Sequence, residues 1–141
     1  MTSLDIVAVA TVALFVKMFV VASLQGVYRL RHGRFTRPED AAHWGNGEVA
    51  DEEHGAAARA QRTLRNDLEN IPIFLFLLWA YASVEAWPAG AAWYAGAFVL
   101  SRVVHTAAYL RPIQPLRNRA YVVGSMVCLA LSGHLVYAIF F

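Results

Sequence analysis

Four long apolar segments constrain the fold of this chain more than any other feature of its sequence. They lie at about residues 4–30, 59–84, 89–110 and 119–141. Each is long enough to cross a bilayer as an α-helix, which takes roughly 20 mostly apolar residues. Hydrophobic residues make up 58% of the 141 residues and charged residues 16%, a balance more apolar than water-soluble domains have. We therefore expect an all-α integral membrane protein.

The connections between the segments predict how the helices are arranged. A tight link at about 85–90 predicts that the second and third helices are antiparallel neighbours, and residues 111–116 form another short turn that contains two prolines. A long polar loop at about 31–58 separates the first two helices. These features predict one membrane domain over residues 1–141, built as a four-helix bundle.

Basic residues concentrate at one end of the predicted helices. Two loop regions carry Arg29, Arg31, Arg34, Arg37, Arg59, Arg62, Arg65, Arg111, Arg117 and Arg119, whereas the opposite side carries only Asp5 and Glu85. Arginine-rich loops remain in the cytoplasm. The pattern predicts a multi-pass protein with both basic loops in the cytoplasm and both termini on the other side. A net charge of +2 is too small to indicate a nucleic-acid partner.

The second segment joins a charged half directly to an apolar half. The apolar half, from Ile71 to Val84, covers only about 14 residues, so a spanning helix must carry charged residues to membrane depth. Ionisable side chains at that depth indicate a functional site by default. One helical stripe carries Arg62, Arg65, Asn66 and Glu69. It suits a ligand with carboxylates and an ammonium. Alternatively, the arginines are interfacial anchors paired with the acids.

Polar residues on the other helices lie at the same predicted depth. Arg102, His105 and Tyr109 share a face of the third helix, Arg117 and Tyr121 share a face of the fourth, and Arg29 ends the first. This convergence predicts a site on the cytoplasmic side. The alternative for the third helix is a structural role, chiefly a salt bridge from Arg102 to Glu69 or Asp67.

The polar loop gives weaker predictions. Thr36 and Glu39 match a capping box, which predicts a short helix starting after Thr36, and residues 45–47 indicate a turn. His43, Asp51, Glu52, Glu53 and His54 lack the spacing of metal ligands, so we expect a solvated loop and no metal site.

Two ionisable residues lie within apolar segments. Lys17 is expected to face the bundle interior and a structural partner, because a lysine facing lipid is costly. His134 has no charged neighbour in its segment and is expected to be a hydrogen-bonded core residue.

Several blocks of the chain resemble one known family. The run Arg65 to Asn70 reads Arg-Asn-Asp-Leu-Glu-Asn, and the run Arg102 to Leu110 reads Arg-Val-Val-His-Thr-Ala-Ala-Tyr-Leu. Together with shorter blocks, they resemble the MAPEG family, the membrane-associated proteins in eicosanoid and glutathione metabolism. Leu64 and Asn118 depart from the family pattern at the edge of the expected pocket.

The resemblance implies a homotrimer of four-helix bundles that binds glutathione between protomers, near the cytoplasmic side. Taken with the polar stripes, it implies a glutathione-binding set of Arg29, Arg62, Arg65, Asn66, Asp67, Glu69, Arg102, His105, Tyr109, Arg117 and Tyr121. The catalytic residues it implies are Arg117, Tyr121 and Asp40. Arg117 would stabilise the glutathione thiolate, Tyr121 would donate a hydrogen bond from its hydroxyl, and Asp40 would move a proton if the loop folds over the site.

The leading hypothesis is therefore a glutathione-dependent enzyme of a bacterial inner membrane or the endoplasmic reticulum. It would conjugate glutathione to a lipophilic electrophile, reduce a lipid hydroperoxide, or isomerise an endoperoxide. One alternative is a non-enzymatic lipid-binding member resembling the lipoxygenase-activating protein, which should lack the glutathione-holding residues. Another is a small transporter or channel subunit, which should carry polar residues through the full membrane depth.

Overall fold

The computed structural model describes residues 1–44 and 47–141, most of them helical. The helices are α1 (Ser3–His32), α2 (Pro38–His43), α3 (Gly55–Ser83), α4 (Pro88–Leu110) and α5 (Gln114–Phe140). Two short strands, β1 (Arg34–Phe35) and β2 (Glu48–Val49), pair in parallel. The all-α prediction is confirmed. Two of the three residues of the predicted turn at 45–47 lie outside the described residues.

Local sequence signals explain where α1 begins and ends. The Thr2 side chain accepts a hydrogen bond from the Asp5 amide, and the Asp5 carboxylate accepts one from the Thr2 amide, which is a reciprocal capping box. The helix ends at Gly33, whose φ of 56° is left-handed. Glycine adopts that conformation without the clash that a Cβ would make.

The short helix predicted in the polar loop is present as α2, but it is capped by a different residue. Its N-cap is Arg37, without a side-chain capping bond, so the Thr36 capping box is wrong. Pro38 explains the shift, because proline is favoured at the first helical position, where its missing N–H costs nothing. The cap therefore falls on the residue just before the proline.

The four long helices pack against one another along one apolar core. α1 packs on α3 and α4, α5 packs on α4 and α3, and α3 also packs on α4. Leu14, Phe74, Leu78 and Leu131 are fully buried there. The rings of Phe74 and Phe98 stack with their centroids 3.8 Å apart, which fixes α3 against α4.

The outer surface of the long helices is strongly apolar. Phe76, Trp93 and Phe140 each expose about three quarters of their surface. α1 and α5 are both long and apolar enough to cross a membrane. An outward apolar band of this extent suits lipid or protein contact rather than water. The crossing of all four helices stays a prediction.

Candidate functional site

A buried ion pair and a neighbouring arginine occupy the interior behind the predicted site. The Lys17 ammonium bonds the Asp67 carboxylate, and the Asp67 side chain is fully buried. Arg102, also fully buried, donates from Nη1 to Asn66 Oδ1 at 3.1 Å. The predicted interior partner of Lys17 is thus present.

The geometry of α3 separates Asp67 from its neighbour Asn66, although both belong to the predicted ligand set. Asp67 lies on the buried face of the helix with Thr63, Ile71, Phe74 and Leu78. It faces α1, and its carboxylate is occupied by Lys17, so it lies apart from the exposed stripe. One residue along a helix turns the side chain by about 100°. The sequence indicated this, because Thr63, Asp67 and Ile71 follow one another at intervals of four residues and therefore share a face of the helix.

The predicted salt bridge from Arg102 to Glu69 or Asp67 is wrong. Within the described residues, the guanidinium of Arg102 bonds Asn66 instead. Because Asn66 Oδ1 accepts this bond, the Asn66 Nδ2 donor remains available for another acceptor. Arg102 therefore orients the side-chain amide of Asn66.

A glycine on α5 makes room for this buried arginine. A Cβ at Gly124 would lie 2.7 Å from Arg102 Nη2 and 2.9 Å from Ser101 Oγ. Both distances are shorter than real Cβ contacts allow. The sequence contained no pattern that singled out Gly124, because its partners lie on α4.

The remaining stripe residues of α3 form the first group of predicted residues, an exposed charged row. Arg62, Arg65 and Glu69 are exposed, and Arg62 also lines a cavity with Glu52 of the polar loop. Arg65 Nε donates to Glu69 Oε1 at 3.3 Å, with 82% and 59% of the two side chains exposed. Exposed pairs of this kind are worth under about 1 kcal/mol. The row is therefore free to bind a ligand at little cost to the fold.

A second group of predicted residues comes together where α4 ends and α5 begins. The Arg117 guanidinium lies 4.6 Å from the centre of the Tyr109 ring. The His105 ring lies 5.7 Å from that of Tyr109 and 6.3 Å from that of Tyr121. Arg102 lies 5.8 Å from the Tyr121 ring. Five predicted residues from two helices are thus neighbours.

His105 has unused hydrogen-bonding capacity within this cluster. Its ring is buried, and its Nδ1 has no hydrogen-bond partner among the described residues. Buried polar atoms without a partner are uncommon and call for an explanation. The described residues supply no such partner.

A third group surrounds the end of α1. Arg29 Nε donates to Glu53 Oε1 at 2.6 Å, and its Nη2 donates to the same oxygen. Arg29 and Asp40 also line one cavity of about 160 Å³ with Phe35 and Trp44. Asp40 is half-buried there, so the polar loop lies over the end of α1.

The expectation of a solvated loop is wrong for two residues. Glu53 is buried because Arg29 and Gln25 of α1 both donate to its carboxylate. His54 caps α3, since its Nδ1 accepts from the Ala56 amide. A histidine just before a helix was the available signal for the cap. The partners of Glu53 lie on α1, distant in sequence, and no local signal indicated them.

The environment of His54 disfavours its charged form. Its ring stacks on that of His32, with centroids 3.6 Å apart. Partial desolvation, followed by the nearby positive groups His32, Arg34 and Arg59, lowers the pKa of His54 below its usual value. The neutral ring is also the form whose Nδ1 lone pair can cap the helix.

His134 is hydrogen-bonded, as predicted, and it is half-buried beside the core. Its Nδ1 lies 3.1 Å from the Tyr81 hydroxyl and 3.3 Å from the Tyr94 hydroxyl. Tyr81 in turn donates to the carbonyl oxygen of Trp87, which ties the start of α4 to α3 and α5. These residues are separate from the three predicted groups.

The three groups lie on different elements of the chain. Arg102 connects Asn66 to the cluster of His105, Tyr109, Arg117 and Tyr121. Among the described residues, α1, which carries Arg29, does not contact α5, which carries Arg117 and Tyr121. The charged row on α3 stays open to the outside. The arrangement offers cations, an acid and hydroxyls that can bind a zwitterionic ligand.

Comparisons with known proteins match most of the chain. The MAPEG family matches residues 7–137. The chain is 37% identical to prostaglandin E synthase of Canis lupus familiaris over 125 residues, which cover 88% of this chain and 81% of the relative. It is 34% identical to prostaglandin E synthase of Homo sapiens over 125 residues, covering 88% and 82%. It is 36% identical to microsomal glutathione S-transferase 1 of Homo sapiens over 124 residues, covering 85% and 80%.

Proposed function

Because the chain belongs to the MAPEG family, we propose that it is a glutathione-dependent membrane enzyme acting on a lipophilic electrophile. The reaction is glutathione transfer, peroxide reduction or isomerisation of a prostaglandin-type endoperoxide. The names of its relatives, prostaglandin E synthase and glutathione S-transferase, support this range. The observation that carries the proposal is the cluster of Arg117, Tyr109, His105 and Tyr121.

The chemistry of the polar residues fits glutathione, which has two carboxylates, an ammonium and a thiol. Arginines bind carboxylates through charge-assisted and often bidentate hydrogen bonds. Arg65 offers this on the exposed row, and Glu69 beside it offers a carboxylate to the ammonium. The Asn66 Nδ2 donor, directed by Arg102, suits a carbonyl or carboxylate oxygen. The unpartnered Nδ1 of His105 suits a further polar group of the peptide.

Arg117 is the residue proposed to activate the thiol. A thiolate is the reactive form of a thiol, and a nearby cation lowers the thiol pKa. Arg117 is half-buried and lies against the Tyr109 ring, so its guanidinium is held beside the cluster. Tyr121 is partly exposed, and its hydroxyl can donate to a sulfur or to a developing negative charge on the second substrate.

The complete site is proposed to form between two copies of the chain in a homotrimer. In one copy, the cavity of Arg29 and Asp40 lies on α1 and α2, whereas Arg117 lies on α5, which α1 does not contact among the described residues. The charged row on α3 is exposed. Apposition of two copies would bring such surfaces together around one ligand. A lipophilic substrate would enter from the bilayer, with the polar site toward the cytoplasm.

The direct test is turnover by the purified protein in detergent or liposomes. Glutathione is supplied with a chlorinated nitrobenzene, a lipid hydroperoxide or an endoperoxide, and product is followed for each. Arg117→Ala should lower kcat/KM by about a hundredfold or more, as loss of a charge-stabilising donor does, while glutathione still binds. Arg119→Ala, which removes an exposed arginine of the same helix, is the control. Normal turnover by Arg117→Ala would overturn the thiolate assignment.

Asp40 is proposed as a proton-transfer residue. Asp40 lines the same cavity as Arg29, and a carboxylate within reach of the substrate can act as general acid or base. Asp40→Asn preserves the size of the side chain and removes the proton acceptor. We expect kcat to fall with glutathione affinity unchanged. Unchanged activity would restrict Asp40 to a role in loop structure.

A further inference from the structure

The buried carboxylate of Glu53 is placed to hold one specific edge of Arg29. Arg29 Nε and Nη2 both donate to Glu53 Oε1. Gln25 Nε2 donates to both carboxylate oxygens at 3.3 and 3.2 Å. The Glu53 side chain is 3% exposed, whereas 31% of the Arg29 side chain stays exposed. Two residues of α1 therefore hold the Glu53 carboxylate in place.

The rest of the Arg29 guanidinium remains open. A guanidinium carries five N–H donors in a rigid plane. Glu53 takes the Nε side, and among the described residues no hydrogen bond engages Arg29 Nη1. The edge formed by Nη1 and Nη2 is therefore available, and it has the geometry that binds a carboxylate through two hydrogen bonds.

We propose that Glu53 is a positioning residue that pre-orders Arg29 as a receptor for one carboxylate of glutathione. This inference rests on the proposed function. Arginine side chains lose much rotational freedom when they are fixed, so ordering Arg29 before the ligand arrives reduces the cost of binding. The inference concerns affinity for one carboxylate and leaves the chemical step at Arg117 unaffected.

The same contact orders the polar loop. Glu53 immediately precedes the N-cap of α3, and Arg29 is near the end of α1. Their pair therefore connects the two helices that flank the loop. Because Arg29 also lines the cavity that contains Asp40, the orientation of its guanidinium sets one wall of that cavity.

The test compares Glu53→Gln with Glu52→Gln in the full-length protein. Glu52 is the adjacent exposed acid, so its variant makes the same change in net charge. We expect Glu53→Gln to raise the Kd and KM for glutathione about two- to tenfold, the cost of ordering one long side chain on binding, with kcat nearly unchanged. Glu53→Asp should recover part of the affinity. Glu52→Gln should bind like wild type.

Glutathione monoesters identify the group that is recognised. Esterifying the glycine or the γ-glutamyl carboxylate removes one negative charge at a time. For one of the two esters, Glu53→Gln and the wild-type protein should have the same affinity, because Arg29 then has no carboxylate to bind in either protein. A purely structural role for Glu53 would instead weaken both esters and lower kcat along with the melting temperature.

Three outcomes would overturn the inference. If Glu53→Gln binds glutathione as wild type does, Glu53 does not position Arg29. If it binds more tightly, Glu53 competes with the ligand for Arg29. If both monoesters retain the full penalty, the effect does not act through a carboxylate. A wild-type protein that binds no glutathione would instead overturn the proposed function itself, and this inference with it.

Discussion

Breaking the ion pair between Lys17 and Asp67 should strongly destabilise the protein. The two side chains are 9% and 0% exposed, so neither charge can turn to water if the other is lost. Lys17→Met keeps an unbranched side chain but leaves the Asp67 carboxylate buried without its cation. Removing one partner of a buried pair costs about 3–5 kcal/mol. At about 2–4 °C per kcal/mol, the melting temperature should fall by roughly 10 °C.

A double-mutant cycle isolates the pair from the general effect of changing core residues. Asp67→Asn removes the other charge at nearly constant size. The double variant Lys17→Met/Asp67→Asn buries no unpaired carboxylate, so it should recover about 2–3 kcal/mol relative to the sum of the single variants. Thermal unfolding in detergent, followed by far-ultraviolet circular dichroism, gives the four values. Arg111→Met, at an exposed position, controls for loss of a positive charge.

Two results would refute this reasoning. If Lys17→Met melts within a degree or two of wild type, the Asp67 carboxylate is not held as a buried charge. If the effects of the two single variants simply add, the two side chains do not stabilise each other.

Three further predictions concern backbone, pH and packing. Gly33→Ala should lower stability by about 1 kcal/mol because φ at this position is 56°. Gly26→Ala, inside α1 with nothing within 4 Å of an added Cβ, should raise stability by about the same amount. Melting temperatures measure both effects. The lowered pKa of His54 means that folding favours its neutral ring. Its contribution to stability is therefore complete above about pH 6.5 and is lost as the pH falls below that value. A His54→Asn variant, which retains a capping acceptor, should show a weaker pH dependence of the melting temperature. Gly124→Val should destabilise by about 1–3 kcal/mol through overpacking against Arg102, whereas Gly133→Val, at an open position of the same helix, should change stability by less than about 0.5 kcal/mol.

The sequence predicted the long helices well because their apolar runs are long and their ends carry clear signals. The stripe of Arg62, Arg65 and Glu69 could be placed on one face by periodicity alone. The helix bounds differ by a few residues: α3 begins at Gly55 rather than near residue 59, and α5 begins at Gln114 rather than near 119. The first turns of both helices lie outside the long apolar runs, so a prediction based on apolar residues alone places the start of each helix too late.

The contacts between distant residues were the part that sequence could not predict. Glu53 was expected in a solvated loop, yet Arg29 and Gln25 on α1 bury it. Such a pairing depends on how the loop folds back over α1, which no local pattern specifies. Gly124 matters because two α4 side chains lie against it, and this too is a property of packing. Local periodicity fixes which face a residue occupies, but only the tertiary structure fixes its partner.

Glutathione binding tests the central claim most directly. Purified wild-type protein is titrated with glutathione up to millimolar concentration, and the ultraviolet absorbance of the thiolate is followed alongside binding heat. We expect saturable binding with a thiolate signal at neutral pH. In Arg117→Ala, binding should persist while the thiolate signal is lost, because the proposed site binds the ends of the ligand through Arg65 and Glu69 and assigns only the sulfur to Arg117. Absence of binding to the wild-type protein at millimolar glutathione would contradict the account.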